Sequence, residues 1–345
     1  MTPPPVGRLR NAGPPDPPRS GEGGERRSRW VCVARVVWLL VLAAVLARVL
    51  IVNRAAVADL AQVRRPWLLG AALLAGFGQL ALNASFWRRA LAATGHRVPW
   101  RTILEVTARS VPARYVPGSV WYAMSRAAML RVHGVGVGAL AVTAILEAVL
   151  TVVVSLALGG ALLGLAGRLP GRQLSGVAWV VVLVIATVPP VLNRILTWLA
   201  RRRGTTAPAL SWADHGALVA WMVAFWGLSA AAFTCYLLAF DVDVPPGPTG
   251  VAGAFLVAWA IGFLTPIAPQ GAGAFEVVVV ALLVGSADGP LAVVVAGFRA
   301  LIGVRDAVAF GWGAWRGRSG GVPPGRREPE ISPASRPAPV ARRSG

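Results

Sequence analysis

Apolar residues in this chain come in runs long enough to cross a bilayer, and polar residues gather in the short breaks between them. A helix needs about 20 mostly apolar residues to span the hydrocarbon core. Runs of that order cover about 32–51, 67–87, 138–165, 176–198, 214–239, 250–265, 272–286 and 290–314, which predicts eight membrane passes. The run at 272–286 is short and reads as a half-helix, and Pro189-Pro190 predicts a kink in the run before it. Between the second and third passes, a helix over about 101–112 and a shorter one ending near Leu130 flank a break. That pair reads as re-entrant and not spanning.

The break itself is Arg114-Tyr115-Val116-Pro117-Gly118-Ser119-Val120-Trp121. Proline lacks a backbone donor and clashes with the preceding turn, and glycine accepts almost any backbone angle, so Pro117-Gly118 interrupts a helix. At membrane depth such an interruption is tolerated only where protein or a water-filled cavity satisfies the freed backbone. A second interruption, Thr265-Pro266-Ile267-Ala268-Pro269-Gln270-Gly271-Ala272-Gly273, lies in the other half. Paired interruptions point to a transport site and suggest an inverted repeat. The fold class expected is an all-α integral membrane protein of about eight transmembrane helices with re-entrant broken helices.

Composition agrees with that class. The chain has 345 residues, 56% of them hydrophobic, and a mean hydropathy of +0.62. Its net charge is +20, and every basic residue is arginine. Such charge can mark nucleic-acid binding, but here it sits in tails and short loops, where arginine orients spans and attracts anionic headgroups. Residues 1–29 and 316–345 are rich in arginine and proline without apolar periodicity and read as disordered cytoplasmic tails around a membrane domain at 30–315. The first apolar run reads as an uncleaved span rather than a signal peptide. Arg88, Arg89, Arg97, Arg101, Arg126, Arg131 and Arg201-Arg202-Arg203 share one side with both tails. The positive-inside rule makes that side cytoplasmic, in a bacterial inner membrane. The opposite loops are leaner, except for Arg54, Arg64 and Arg65, which Asp59 offsets in part. Cys32 and Cys235 read as packing residues, too few for a disulfide framework. No stretch is left for a soluble catalytic domain.

The candidate chemistry lies at the two breaks. Around the first, Arg109, Arg114 and Arg126 interleave with Tyr115, Trp121 and Tyr122. Guanidinium forks suit phosphate, and tyrosine and tryptophan suit the headgroup level. A lipid-phosphate site and an amphipathic turn touching lipid are both open at this point. At the second break Glu276 opens the next apolar run, either as a helix-start carboxylate or as a polar group lining a cavity. Glu147 sits in mid-span, where an ionisable group requires a partner, and Arg299 or Arg305 of the last pass would supply it. Asp306 adjoins Arg305 and is free to pair elsewhere. His96, His133 and His215 fall in predicted loops without metal-ligand spacing, and neither a metal nor a cofactor is expected. Gly134-Val-Gly136-Val-Gly138 lacks the preceding strand of a phosphate loop and reads as a flexible entry to the third pass. Asp241-Val242-Asp243 reads as a solvated outer turn.

The run from Trp87-Arg88-Arg89-Ala90-Leu91 to Gly95, then Arg114–Trp121, Arg126 and Gly134, resembles the membrane region of lysylphosphatidylglycerol synthases, which also occurs alone in flippase-like proteins. Val116 stands where that signature has leucine, Glu147 matches its mid-span glutamate, and Pro266, Pro269, Gly271, Gly273 and Glu276 match most of its later signature. Gln270 departs from it, standing where the first glycine of a pair is usual. The resemblance covers about residues 35–315 and implies a lipid-handling bundle that translocates an aminoacylated, glycosylated or otherwise modified lipid. The soluble aminoacyl-transferring domain of the bifunctional synthases has no counterpart, so synthase activity is not implied.

The reading is a lipid translocase for a phospholipid or lipid-linked substrate. Arg114 and Arg126 would hold the lipid phosphate. Tyr115, Pro117, Gly118 and Trp121 would frame it at the first break, and Pro266, Pro269, Gly271, Gly273 and Glu276 at the second. Glu147 and Glu276 would balance Arg299 and Arg305 or bind a cationic headgroup. Two other classes are open: a membrane transferase acting on a polyprenyl-phosphate or phospholipid, and a non-catalytic partner of a cell-envelope glycosyltransferase or other lipid-modifying enzyme. Membrane lipids, anionic or phosphate-bearing, are the partners expected, and nucleic acid is not. The sequence leaves the oligomeric state open.

Overall fold

A computed structural model describes residues 62–116, 120–168, 210–242, 247–265, 271–284 and 289–319, with a few isolated positions besides. The chain divides into two units, 1–59 and 60–345. Nearly all of the predicted first pass, most of the fourth, residues 1–29 and 320–345 of the tails, Asp59, Pro117-Gly118, Pro266 and Pro269 lie outside the described residues. Residues 316–319, expected in the C-terminal tail, continue the last helix to Ser319.

Every regular element described in the second unit is helical. The helices are α1 (Pro66–Ala93), α2 (Trp100–Ser110), α3 (Val120–Arg131), α4 (Val137–Leu165), α5 (Trp212–Ala239), α6 (Gly247–Leu264), α7 (Ala274–Val284) and α8 (Gly289–Ser319), with a 3-10 segment, Val111–Tyr115, after α2. Four of them, α1, α4, α5 and α6, are long and apolar enough to cross a membrane. They match the second, third, fifth and sixth predicted passes. The expected half-helix is α7, 11 residues and about 16 Å long at 1.5 Å per residue, too short to span. The expected last pass is α8, long at 31 residues but carrying Arg299, Arg305 and Asp306 in its middle. The protein is an all-α, multi-pass membrane protein.

Helices α1 and α5 run antiparallel. At one end the backbone N–H groups of Arg64 and Arg65 donate to the Ala239 carbonyl at 3.0 and 3.1 Å, and both side chains pair with Asp241 at 3.3 and 3.0 Å. At the other end Arg89 pairs with Asp214 at 2.7 Å. Asp214 also stands in the first turn of α5, where the Ser211 hydroxyl caps its N–H at 3.0 Å. Asp241 is in an exposed turn, as expected, and is also the counter-ion of Arg64 and Arg65, two of the three arginines that depart from the lean loops of that side. His215, expected in a loop, is buried in the first turn of α5.

Small residues close the other main crossing. A Cβ on Gly159 of α4 would lie 2.9 Å from Leu256 and Val257, and one on Gly253 of α6 would lie 2.9 Å from Leu163. In a membrane, where burial of apolar surface drives little helix association, this close approach supplies the van der Waals contact. Phe233, Phe255, Phe275 and Phe298 then knit α5, α6, α7 and α8, with centroids 4.9–6.1 Å apart.

The α2–α3 pair is re-entrant. The loop before α2 is tied to the loop after α3, because the Gly136 N–H donates to His96 Nε2 at 3.3 Å. Both helices therefore begin and end at the level of Arg89. Pro112 cannot donate to a preceding carbonyl, so α2 stops at Ser110 and gives way to the 3-10 segment. Eleven residues of α2 carry that segment about 16 Å along the helix axis from the loop that precedes it.

Candidate functional site

The tip of the re-entrant pair meets charged residues near the middle of three helices. Glu147 lies ten residues into α4, about 15 Å along its axis. Its carboxylate accepts from Arg126 of α3 at 2.5 Å and from the Asn83 amide of α1 at 2.7 Å. Arg126 also donates to Asn83 Oδ1 at 2.7 Å, closing a three-residue ring. The guanidinium is 1% exposed and lies between the rings of Trp87 and Tyr122, at 4.2 and 3.9 Å. The expected partners of Glu147, Arg299 and Arg305, are both engaged elsewhere. The hairpin folds back against α4 and brings Arg126 to Glu147 first.

Arg305 of α8 donates twice to its neighbour Asp306, at 2.8 and 2.5 Å, and once to Gln79 Oε1 of α1 at 2.7 Å. The second Asp306 oxygen accepts from the Tyr115 hydroxyl at 2.9 Å. Two carboxylates are thus satisfied by Arg126 and Arg305.

Arg114 is the third guanidinium of the group, half-buried beside the break. It donates to the Tyr122 hydroxyl at 2.6 Å and lies over the same ring that Arg126 approaches, 4.1 Å from the centroid. Among the described residues no carboxylate pairs with it. The phenol brings no charge to match it, Asp306 and Glu147 act on it only from beyond ion-pair distance, and most of its five N–H donors are unused.

The second break is built on a separate ion pair. Gly271 and Gly273 adopt φ of 68° and 90°, angles that side chains resist. Gly271 is also pressed against the Gly262 backbone of α6, leaving no room for a Cβ. The Gly273 N–H donates to Glu276 Oε2 at 2.6 Å, the return half of a capping box at the start of α7. The other Glu276 oxygen pairs with Arg299 of α8, whose guanidinium stands 5.2 Å from the Phe275 ring. Glu276 is thus a helix-start carboxylate and an arginine partner at once.

The two breaks converge on one helix. Arg299 receives the second and Asp306 the first, seven residues apart on α8. That spacing is two turns, so both lie on one face about 10 Å apart along the axis. Gly303 lies between them on the same face, and a Cβ there would find only the Tyr115 hydroxyl, at 3.9 Å. The structure therefore joins Arg114, Tyr115, Arg126, Glu147 and Arg305 in one network, and Gly271, Gly273, Glu276 and Arg299 in a second. Trp121 is 44% exposed beside the first. Asn83 and Gln79 went unnoticed in the sequence. Two amides one turn apart inside an apolar span were the available signal.

A family model described as the lysylphosphatidylglycerol synthase TM region matches residues 30–305. The chain belongs to that family. Arg114, Arg126, Glu147, Glu276, Arg299 and Arg305 all fall within the matched span, and Asp306 lies one residue past it. Membership makes this a membrane protein of a lipid-related family. Among curated proteins, none matches the chain.

Proposed function

We propose that this protein moves a phosphate-bearing lipid between the leaflets of a bacterial inner membrane, with both termini in the cytoplasm. The observation that carries this reading is Arg114, a guanidinium without a carboxylate partner at the tip of a re-entrant hairpin. A charge at that depth costs about 2.5–3.5 kcal/mol on insertion scales unless something polar meets it. A lipid phosphate supplies the missing anion, and Arg305 and Arg126 stay bound to the protein's own acids. The face of α8 between Arg299 and Asp306, opened by Gly303, is the surface along which a headgroup would pass. The orientation rests on exposed arginines at the end that bears Arg89: Arg88, Arg97, Arg101, Arg131, Arg316 and Arg318.

The test is a headgroup-accessibility assay in reconstituted vesicles with a labelled phospholipid. A charge-assisted hydrogen bond contributes about 1.5–3 kcal/mol, so Arg114→Ala is expected to slow transport about ten- to a hundredfold. Glu276→Ala, which removes the carboxylate paired with Arg299, is expected to slow it as well. If both variants move lipid at the wild-type rate, the assignment of the site is wrong.

A further inference from the structure

We infer that the site selects lipids whose headgroup is net anionic and rejects those whose headgroup carries a compensating cation. The inference rests on the translocation reading and adds the class of lipid to it. A cationic headgroup, such as an aminoacyl ester with a free ammonium, needs a carboxylate to receive it in a medium of low dielectric. Among the described residues none is available.

At mid-depth, Glu147 is held by Arg126 and Asn83. Asp306 is held by Arg305 and Tyr115, and Glu276 by Arg299 and the Gly273 N–H. Their side chains are 14%, 3% and 13% exposed, so little of any carboxylate faces outward. At the membrane edges the other described acids, Glu105, Asp214 and Asp241, are each paired with arginine too.

The cations are not matched in the same way. The network at the first break sets Arg114, Arg126 and Arg305 against Glu147 and Asp306, which leaves one positive charge. A phosphodiester neutralises it. A headgroup that adds one ammonium to that phosphate brings a further cation beside Tyr122, whose ring already carries the guanidiniums of Arg114 and Arg126 within 4.1 and 3.9 Å. An ammonium could be received only by taking a carboxylate from a buried guanidinium, which would strand that guanidinium in turn. The charge pattern thus favours an unmodified anionic phospholipid or a polyprenyl phosphate over an aminoacylated one.

The experiment compares two labelled lipids in vesicles of the same host composition: phosphatidylglycerol and its aminoacyl ester. The full chain is expected to move the anionic lipid at least tenfold faster. Arg114→Gln should slow the anionic lipid and narrow the ratio, and Arg114→Glu should reverse it, because a carboxylate then faces the headgroup. Equal rates, or faster movement of the aminoacyl lipid by the wild type, overturn this inference and leave translocation standing. Movement of neither lipid overturns the translocation reading and the selectivity with it. If Arg114→Glu does not fold, Arg114→Gln carries the test: an unchanged ratio in that variant is evidence against it.

Discussion

Arg126 and Glu147 are the pair whose loss the protein tolerates least. The guanidinium has hydrogen bonds to two partners and an aromatic ring on each side, and the carboxylate has two donors. Removing one member of a buried pair leaves the other uncompensated, at a cost of about 3–5 kcal/mol. Arg126→Met and Glu147→Met should each lower the melting temperature in detergent markedly. The double variant should melt above the lower of the two singles, because no stranded charge remains. A double variant that melts at the sum of the two losses would show that the residues act independently. The mid-span glutamate was legible in the sequence as a group in need of a partner. Its partner was not, because Arg126 lies 21 residues away and meets it only when α3 doubles back on α4. Arg299 and Arg305 looked better placed until Glu276, Asp306 and Gln79 were seen to occupy them.

At the scale of elements, hydropathy located α1, α4, α5 and α6, and the shortness of its run marked α7 as a half-helix. The Arg114–Trp121 break, with Pro117-Gly118, marked the α2–α3 pair as non-spanning. What the sequence could not supply was the tie that makes the pair re-entrant, the Gly136 N–H on His96. No periodicity connects two loops 40 residues apart. Glycine was legible as a breaker at Gly271, but its close approach to Gly262 is a tertiary fact. The hairpin has a direct topological consequence. In a chain with Cys32 and Cys235 replaced by alanine, single cysteines at Arg97 and His133 should react with an impermeant maleimide from the same side of the membrane. Labelling from opposite sides would mean that α2 and α3 together cross the bilayer.

Over the whole molecule, charge is distributed unevenly between ends and middle. Among the described residues, the ends carry exposed arginines beside paired acids, and the middle carries three paired carboxylates and one guanidinium in excess. That excess charge stands at Arg114, next to the tyrosine that reaches Asp306 of α8, so an anion bound there would dismantle no ion pair. The direct measurement is phosphorus–nitrogen dipolar coupling by solid-state NMR, on protein labelled with guanidino-15N arginine and reconstituted in phosphatidylglycerol. Arginines at the membrane edges also touch phosphate, so wild type and Arg114→Gln are compared. A guanidinium–phosphate contact of about 2.8 Å between heavy atoms should appear in the wild type and vanish from the variant while the other couplings persist. Identical couplings in the two proteins would mean that Arg114 touches no lipid phosphate.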